Sequence, residues 1–221
     1  NYDISELLKD VYQVPNYQVL TTECSRFAED LINILNTNNN ISCGVKNTNQ
    51  GVNIYCNEYA KCFDAIDDFL TNVFTLCFGC EDIKVPSMVD VESIDRVGYF
   101  QTGSHHLNFV SAVNTDPSVF DKYTSKAHEE DFCDYISSST DFYQFTSSPQ
   151  YVLNPALCLH CYPLEENQKL STGDIRSYTV QGKCFRNESG NLNNTERLLE
   201  FSMREGVFFC THSDLPTVHN S

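Results

Sequence analysis

Residues 178–188 read Tyr-Thr-Val-Gln-Gly-Lys-Cys-Phe-Arg-Asn-Glu, residues 189–195 Ser-Gly-Asn-Leu-Asn-Asn-Thr, and residues 196–210 Glu-Arg-Leu-Leu-Glu-Phe-Ser-Met-Arg-Glu-Gly-Val-Phe-Phe-Cys. Two runs of β-prone residues flank a loop of Gly, Asn, Ser and Thr, the residue types that supply turns and positive φ. The stretch therefore predicts a β-hairpin. Arg186 and Glu188 stand two residues apart at the end of the first strand and share a face. On the return, Arg197 falls in the loop, while Phe201 and Glu205 fall on one face of the second strand.

Composition limits what surrounds this hairpin. A chain of 221 residues with 41% hydrophobic and 12% aromatic residues reads as one large globular domain. Folding would bury about 70% of its unfolded surface. No apolar run reaches membrane-spanning length and none opens the sequence, so neither a membrane span nor a signal peptide is expected. The net charge of -16, with only 14 Lys and Arg, lacks the basic footprint of an RNA-binding surface. Eleven cysteines form an odd count without framework spacing, which favours reduced thiols in a cytoplasmic protein. The competing reading is a secreted disulfide glycoprotein, helped by Asn-X-Ser/Thr triplets at Asn40, Asn187 and Asn193.

Upstream, Ile4, Leu7, Leu8 and Val11 space as a short helix that ends at Pro15. A second helix carries Phe27, Leu31, Ile34 and Leu35, with Thr21 or Thr22 as its cap. Residues 41–46 and 51–56 predict a hairpin. The strongest helical pattern spans residues 58–77: Tyr59, Cys62, Phe63, Ile66, Leu70, Val73, Phe74 and Cys77 form an apolar stripe, and Asp64, Asp67 and Asp68 a solvated face. Gly79 ends that helix, and residues 82–88 read as an edge strand interrupted by Pro86. In Gly-Ser-His105-His106, a strand would turn the two histidines to opposite faces, which makes them core or surface residues. A helix is expected over residues 118–137 and an exposed connection over 137–148. A strand running into Pro155 and a short helical turn brings Cys158, His160 and Cys161 together, where Cys-X-X-Cys alone is only suggestive of a metal site.

Phe185-Arg186-Asn187-Glu188, a variable loop, Arg197, and Phe201-Ser202-Met203-Arg204-Glu205 together resemble motif 2 of the class II aminoacyl-tRNA synthetases. The Met-Arg-Glu form is most similar to amino acid:carrier protein ligases, which resemble the catalytic core of the atypical, zinc-dependent seryl-tRNA synthetases. The long helix followed by a strand and Pro86, with Gly98 beyond, looks like the family's motif 1. The resemblance implies an α+β fold, an antiparallel sheet flanked by helices, truncated after motif 2. Residues 206–221 hold no motif 3, the Gly-rich element with an arginine for the γ-phosphate. Residues 1–56 would be a helical and hairpin segment packed on a core of residues 57–221.

The function so implied is ATP-dependent activation of a small amino acid (Gly, Ala or Ser) and its transfer to a carrier protein, by a cytoplasmic homodimer for which tRNA is an unexpected partner. Arg186 would bridge the α-phosphate and the substrate carboxylate, and Glu188 would orient the adenine amino group or the nucleophile. Phe201 would stack on adenine, Arg197 would close over the outer phosphates, and Mg²⁺ would accompany pyrophosphate. Pro155-Ala-Leu-Cys158 implies Cys158 and Glu205 as ligands of a Zn²⁺ that holds the substrate amine, with Cys161 as the alternative thiolate. Seryl-tRNA synthetase-like aminoacylation of tRNA and a non-catalytic ATP-binding paralogue are the alternatives.

Overall fold

The computed structural model describes residues 17–36, 44–129, 131–188, 190–193 and 196–219. The helix expected over residues 4–11 lies outside them. The hairpin that organises the chain is present: β7 (Arg176–Phe185) pairs antiparallel with β8 (Glu200–Phe209), in register from Arg176 opposite Phe209 to Phe185 opposite Glu200. Strand β3 (Glu81–Lys84) joins β7 in parallel and completes a three-stranded sheet. A second, antiparallel sheet has the order β4 (Met88–Asp90), β6 (Tyr151–Leu153), β5 (Phe109–Val110). A small hairpin of β1 (Val45–Asn49) and β2 (Val52–Tyr55) stands before them. With helices on its flanks, the chain is α+β as expected.

Pro86 explains why the single strand expected over residues 82–88 is two strands in different sheets. It has no N–H to give a ladder, so pairing with β7 stops at Lys84 and the chain steps across to β4. The Asn154 side chain spans the step, donating to the Pro86 carbonyl at 2.7 Å, while the Asn154 carbonyl accepts from Phe185 N–H at 2.7 Å. Asn154 is fully buried. Each sheet has its own apolar centre. Leu157, Cys161, Val180 and Cys184 pack under β7 and β8, and Val89, Ile94, Leu107, Val152 and Leu159 pack under the second sheet.

Helix α1 (Tyr17–Asn36) begins upstream of Thr21 and Thr22, so neither is its cap. Its Phe27 ring stacks on Phe69 of α2 (Glu58–Asn72) at 4.7 Å. Helix α2 runs into a π-helical stretch, Val73–Cys77, and the turn after it has Gly79 at φ +68°. Tyr59, Phe63 and Ile66 of the expected stripe stay more than two-fifths exposed. The apolar contacts shift to the π-helical end, where Cys77 is buried and Phe74 lies against the backbone of β8.

That contact requires Gly206, because a Cβ there would fall inside the contact distance of the Phe74 ring. Gly206→Ala is therefore expected to cost about 1–3 kcal/mol through overpacking. A urea unfolding midpoint unchanged by the substitution would show that Phe74 moves aside.

Residues 117–145 differ from the expected single helix and loop. Helices α5 (Pro117–Ala127) and α6 (Phe132–Ser138) are separate, and a 3₁₀ turn over Phe142–Phe145 buries Phe145 against Tyr123, Tyr135 and Phe142. The Ser- and Thr-rich composition concealed an aromatic anchor. Helices α3 (Val91–Arg96) and α4 (Tyr99–Thr102) lie between β4 and β5, with Gly98 at φ +70° between them.

Candidate active site

At the open end of the β7–β8 hairpin, Arg186, Glu188, Arg197 and Phe201 line one open cavity of about 620 Å³ with Glu196 and Leu198. All four residues singled out in the sequence for nucleotide binding meet there. The backbone of the hairpin fixes this geometry. Arg186 N–H donates to the Leu199 carbonyl at 3.0 Å, so pairing continues one step beyond the strands and holds Arg186 at the rim. Across the loop, Asn193 Oδ1 accepts from the N–H groups of Glu196 and Arg197 at 2.6 and 3.1 Å, and its own N–H donates to the Arg197 carbonyl at 2.9 Å. Asn193 thus sets the turn that presents Arg197.

The two arginines differ in their partners. Arg197 Nη1 lies 3.5 Å from Glu188 Oε2. Arg186 Nε donates to the Pro155 carbonyl at 3.0 Å, and its guanidinium carbon sits 5.3 Å from the centre of the Phe201 ring. Among the described residues Arg186 makes no ion pair with a carboxylate. A guanidinium beside an aromatic ring, in a cavity of this size and without a counterion, is suited to an anionic ligand.

His106 is the residue that sequence reasoning missed. Ser104–His106 forms a 3₁₀ turn rather than a strand, so the two imidazoles lie against each other, tilted by 43° with centroids 3.9 Å apart, instead of facing apart. His106 Nδ1 lies 4.0 Å from Glu188 Oε1. Its carbonyl accepts from Asn187 N–H at 3.1 Å. Burial, with His105 and Arg186 nearby, outweighs Glu188 and holds this imidazole below its usual range.

Cys158 and Glu205 also meet, though as a helix-turn cap. Glu205 Oε2 accepts from Cys158 N–H at 2.9 Å and Oε1 from Leu157 N–H at 3.3 Å. Burial, and then the Glu205 carboxylate, push the Cys158 thiol up to about 11. Cys161, the alternative ligand, is fully buried, and burial pushes its thiol up to about 12. His160 Nε2 pairs with Asn154 Oδ1 at 2.9 Å. No group of three His, Cys, Asp or Glu that could hold a metal occurs among the described residues. One thiolate and one carboxylate leave a zinc under-coordinated, so among the described residues the ligand set that the resemblance implies is incomplete.

These thiols give a stability prediction. Cys161 and Cys184 are pushed up to about 12 and Cys158 to about 11, mainly by burial. Their protons are held more tightly in the folded chain than in the unfolded one. The resulting stability is complete below the ordinary thiol value of 9.0 and is lost as pH rises toward 11–12. The urea midpoint should fall steadily above pH 9, and a flat profile to pH 11 would contradict the burial of these groups.

No protein-family model matches the chain. It is 26% identical over 159 residues to the type-2 serine–tRNA ligase of Methanopyrus kandleri, covering 70% of this chain and 30% of that relative. The chain is thus similar in sequence to a class II aminoacyl-tRNA synthetase. The fold agrees: the M. kandleri seryl-tRNA synthetase, solved with Aquifex aeolicus tRNASec, superposes with a TM-score of 0.67 at 23% identity, over 79% of this chain and 33% of that one. A Giardia lamblia prolyl-tRNA synthetase in complex with prolyl-adenylate gives 0.58 at 12% identity, over 89% and 34%. A Cryptosporidium parvum threonyl-tRNA synthetase structure gives 0.55 at 15%, over 78% and 35%. The chain thus spans about a third of the length of the proteins it matches.

These likenesses correct the expected partners. The carrier protein, and the view of tRNA as an unexpected partner, came from the Met-Arg-Glu form of motif 2 and from the acidic composition. The extended sequence match is to a serine–tRNA ligase, and that organism's enzyme is held with a tRNA in its structure. Net charge does not by itself choose a partner, because it sums over the chain whereas recognition depends on local patches. No helix among the described residues is long and apolar enough to cross a membrane.

Proposed function

We propose that the chain carries the ATP- and amino-acid-binding part of a seryl-tRNA synthetase-type ligase, which activates serine as its adenylate for transfer to tRNA. The observation that supports this most is Arg186, a guanidinium without an ion pair among the described residues, beside Phe201 in the cavity shared with Glu188 and Arg197. In the reaction, a serine carboxylate oxygen forms a bond to the α-phosphorus of ATP while the α–β bridging oxygen leaves with pyrophosphate. Little covalent work falls to the protein, so positioning and charge neutralisation carry the rate.

Each residue has a role in this reading. Arg186, with a planar fork of donors, holds the α-phosphate and the serine carboxylate together. Phe201 offers its ring to adenine, and Glu188 accepts from the adenine amino group. Arg197, more than half exposed, turns to the outer phosphates. Bound Mg²⁺ would neutralise charge on the leaving pyrophosphate. The turn at residues 155–158 links Arg186 to Glu205, so the serine ammonium lies toward the Glu205 carboxylate. The cytoplasm is its proposed location, and the ten cysteines of the described residues are free thiols. We also propose the division into a segment of residues 1–56, packed through Phe27 on Phe69 and Leu199 N–H on the Gly51 carbonyl, and a core of residues 57–221.

The test is serine-dependent exchange of labelled pyrophosphate into ATP by the full chain, run with saturation binding of ATP. Exchange supports the activity. Binding without exchange would identify a nucleotide-binding paralogue, and a folded chain that does neither would overturn the reading.

A further inference from the structure

We propose that His106 is the positioning residue for Glu188: as ligand fills the cavity and Arg197 turns to its phosphates, the Glu188 carboxylate exchanges the Arg197 guanidinium for the His106 imidazole. The inference rests on the reading of the cavity as an ATP site. Glu188 lies between two donors and is fully bonded to neither, with Oε2 3.5 Å from Arg197 Nη1 and Oε1 4.0 Å from His106 Nδ1. His106 Nδ1 is buried and has no hydrogen-bond partner among the described residues. Native structures rarely leave such an atom unpaired, and the Glu188 carboxylate stands 4.0 Å from it.

The partners differ in freedom. Arg197 is 59% exposed, whereas the side chains of His106 and Glu188 are 24% and 18% exposed. Departure of Arg197 is easy, and departure of the carboxylate is not. His106 is held where it stands: its carbonyl accepts from Asn187 N–H at 3.1 Å and from Asn108 Nδ2 at 3.3 Å, and the tilted His105 ring lies against its own. A carboxylate movement of about 1 Å brings Oε1 within hydrogen-bond reach of Nδ1–H. Without that donor, a half-buried carboxylate would face an incoming triphosphate with no partner. The charged and titratable groups facing the imidazole are Glu188, Arg186 and His105; burial, His105 and Arg186 outweigh Glu188 and favour its neutral form. In the tautomer with the proton on Nδ1, it donates a hydrogen bond to Glu188 without competing with the arginines for phosphate.

Equilibrium dialysis of the full chain with ATP and Mg²⁺ tests this. Asn can place an amide N–H near the position of Nδ1, whereas Gln places it near Nε2. His106→Asn should bind ATP within about twofold of the wild type, and His106→Gln and His106→Leu about tenfold more weakly, the loss of one hydrogen bond to a charged group. In a Glu188→Ala background, which leaves no acceptor for Nδ1–H, His106→Leu should have no further effect. Equal losses in both backgrounds, no loss in His106→Leu, or equal behaviour of the Asn and Gln variants would overturn the proposal. Absence of ATP binding by the folded wild type would instead overturn the reading of the cavity, and the inference with it, a pattern distinct from failure of the His106 variants alone.

Discussion

Arg204→Ala should lower the stability of the chain by about 2–3 kcal/mol, a fall of roughly 5–10 °C in Tm for a protein of this size. The Arg204 side chain is only 2% exposed. Its Nε and Nη2 donate to the two carboxylate oxygens of Asp67 at 2.7 and 3.0 Å, and Nη1 donates to Asp82 at 2.9 Å and to Thr179 Oγ1 at 3.2 Å. One guanidinium therefore ties α2, β3, β7 and β8 together. Breaking a buried pair costs about 3–5 kcal/mol, and we take the lower figure because both carboxylates remain about a third exposed and regain water. Burial raises the Asp82 carboxyl, but Arg204 and Lys84 outweigh it and hold the group below its usual value of 3.8. Its contribution is present above that value and is lost as pH falls below it, so acid sensitivity should shrink in the variant. A Tm unchanged by Arg204→Ala would show that these elements are held by packing alone.

Arg186→Ala should leave Tm nearly unchanged and reduce pyrophosphate exchange by about 10²–10³-fold, the typical effect of removing one preorganised charge-stabilising donor. Within the fold, the side chain contributes one hydrogen bond to the Pro155 carbonyl and a contact with Phe201. Losing them costs about 1 kcal/mol. Arg186→Lys keeps the charge and loses the fork, so it should recover only part of the rate. The contrast between the two arginines is the informative result. If Arg186→Ala unfolds the chain, or leaves exchange intact, the residue is structural and the assignment of the cavity fails.

The hairpin was legible because it lies in one local stretch, and its four cavity residues because that stretch resembles motif 2 of the class II synthetases. Alternation, an Asn-rich loop and the spacing of Arg186, Glu188, Arg197 and Phe201 are properties of consecutive residues. What escaped the sequence depends on segments that meet only in the fold. Asp67 looked like part of a solvated face beside Asp64 and Asp68, and its partner Arg204 lies 137 residues away. His106 looked like a core or surface histidine, because nothing near it in sequence announces Glu188 or the 3₁₀ turn that brings its ring against His105. Cys158 and Glu205 lie together, and periodicity cannot reveal that the backbone N–H groups of Leu157 and Cys158 donate to that carboxylate. Phe145 shows the limit of composition, since one aromatic residue anchors a segment whose Ser and Thr content reads as exposed.

The central claim is that the hairpin cavity receives adenine and phosphates, and NMR of the full chain with ¹³C-labelled phenylalanine, titrated with ATP and Mg²⁺, tests it most directly. The account predicts ring-current shifts at Phe201 with intermolecular NOEs to the adenine protons, and loss of both in Arg186→Ala. Saturable shifts confined to other rings, such as Phe27 and Phe69 between α1 and α2, with Phe201 unmoved, would place the nucleotide elsewhere and contradict the account.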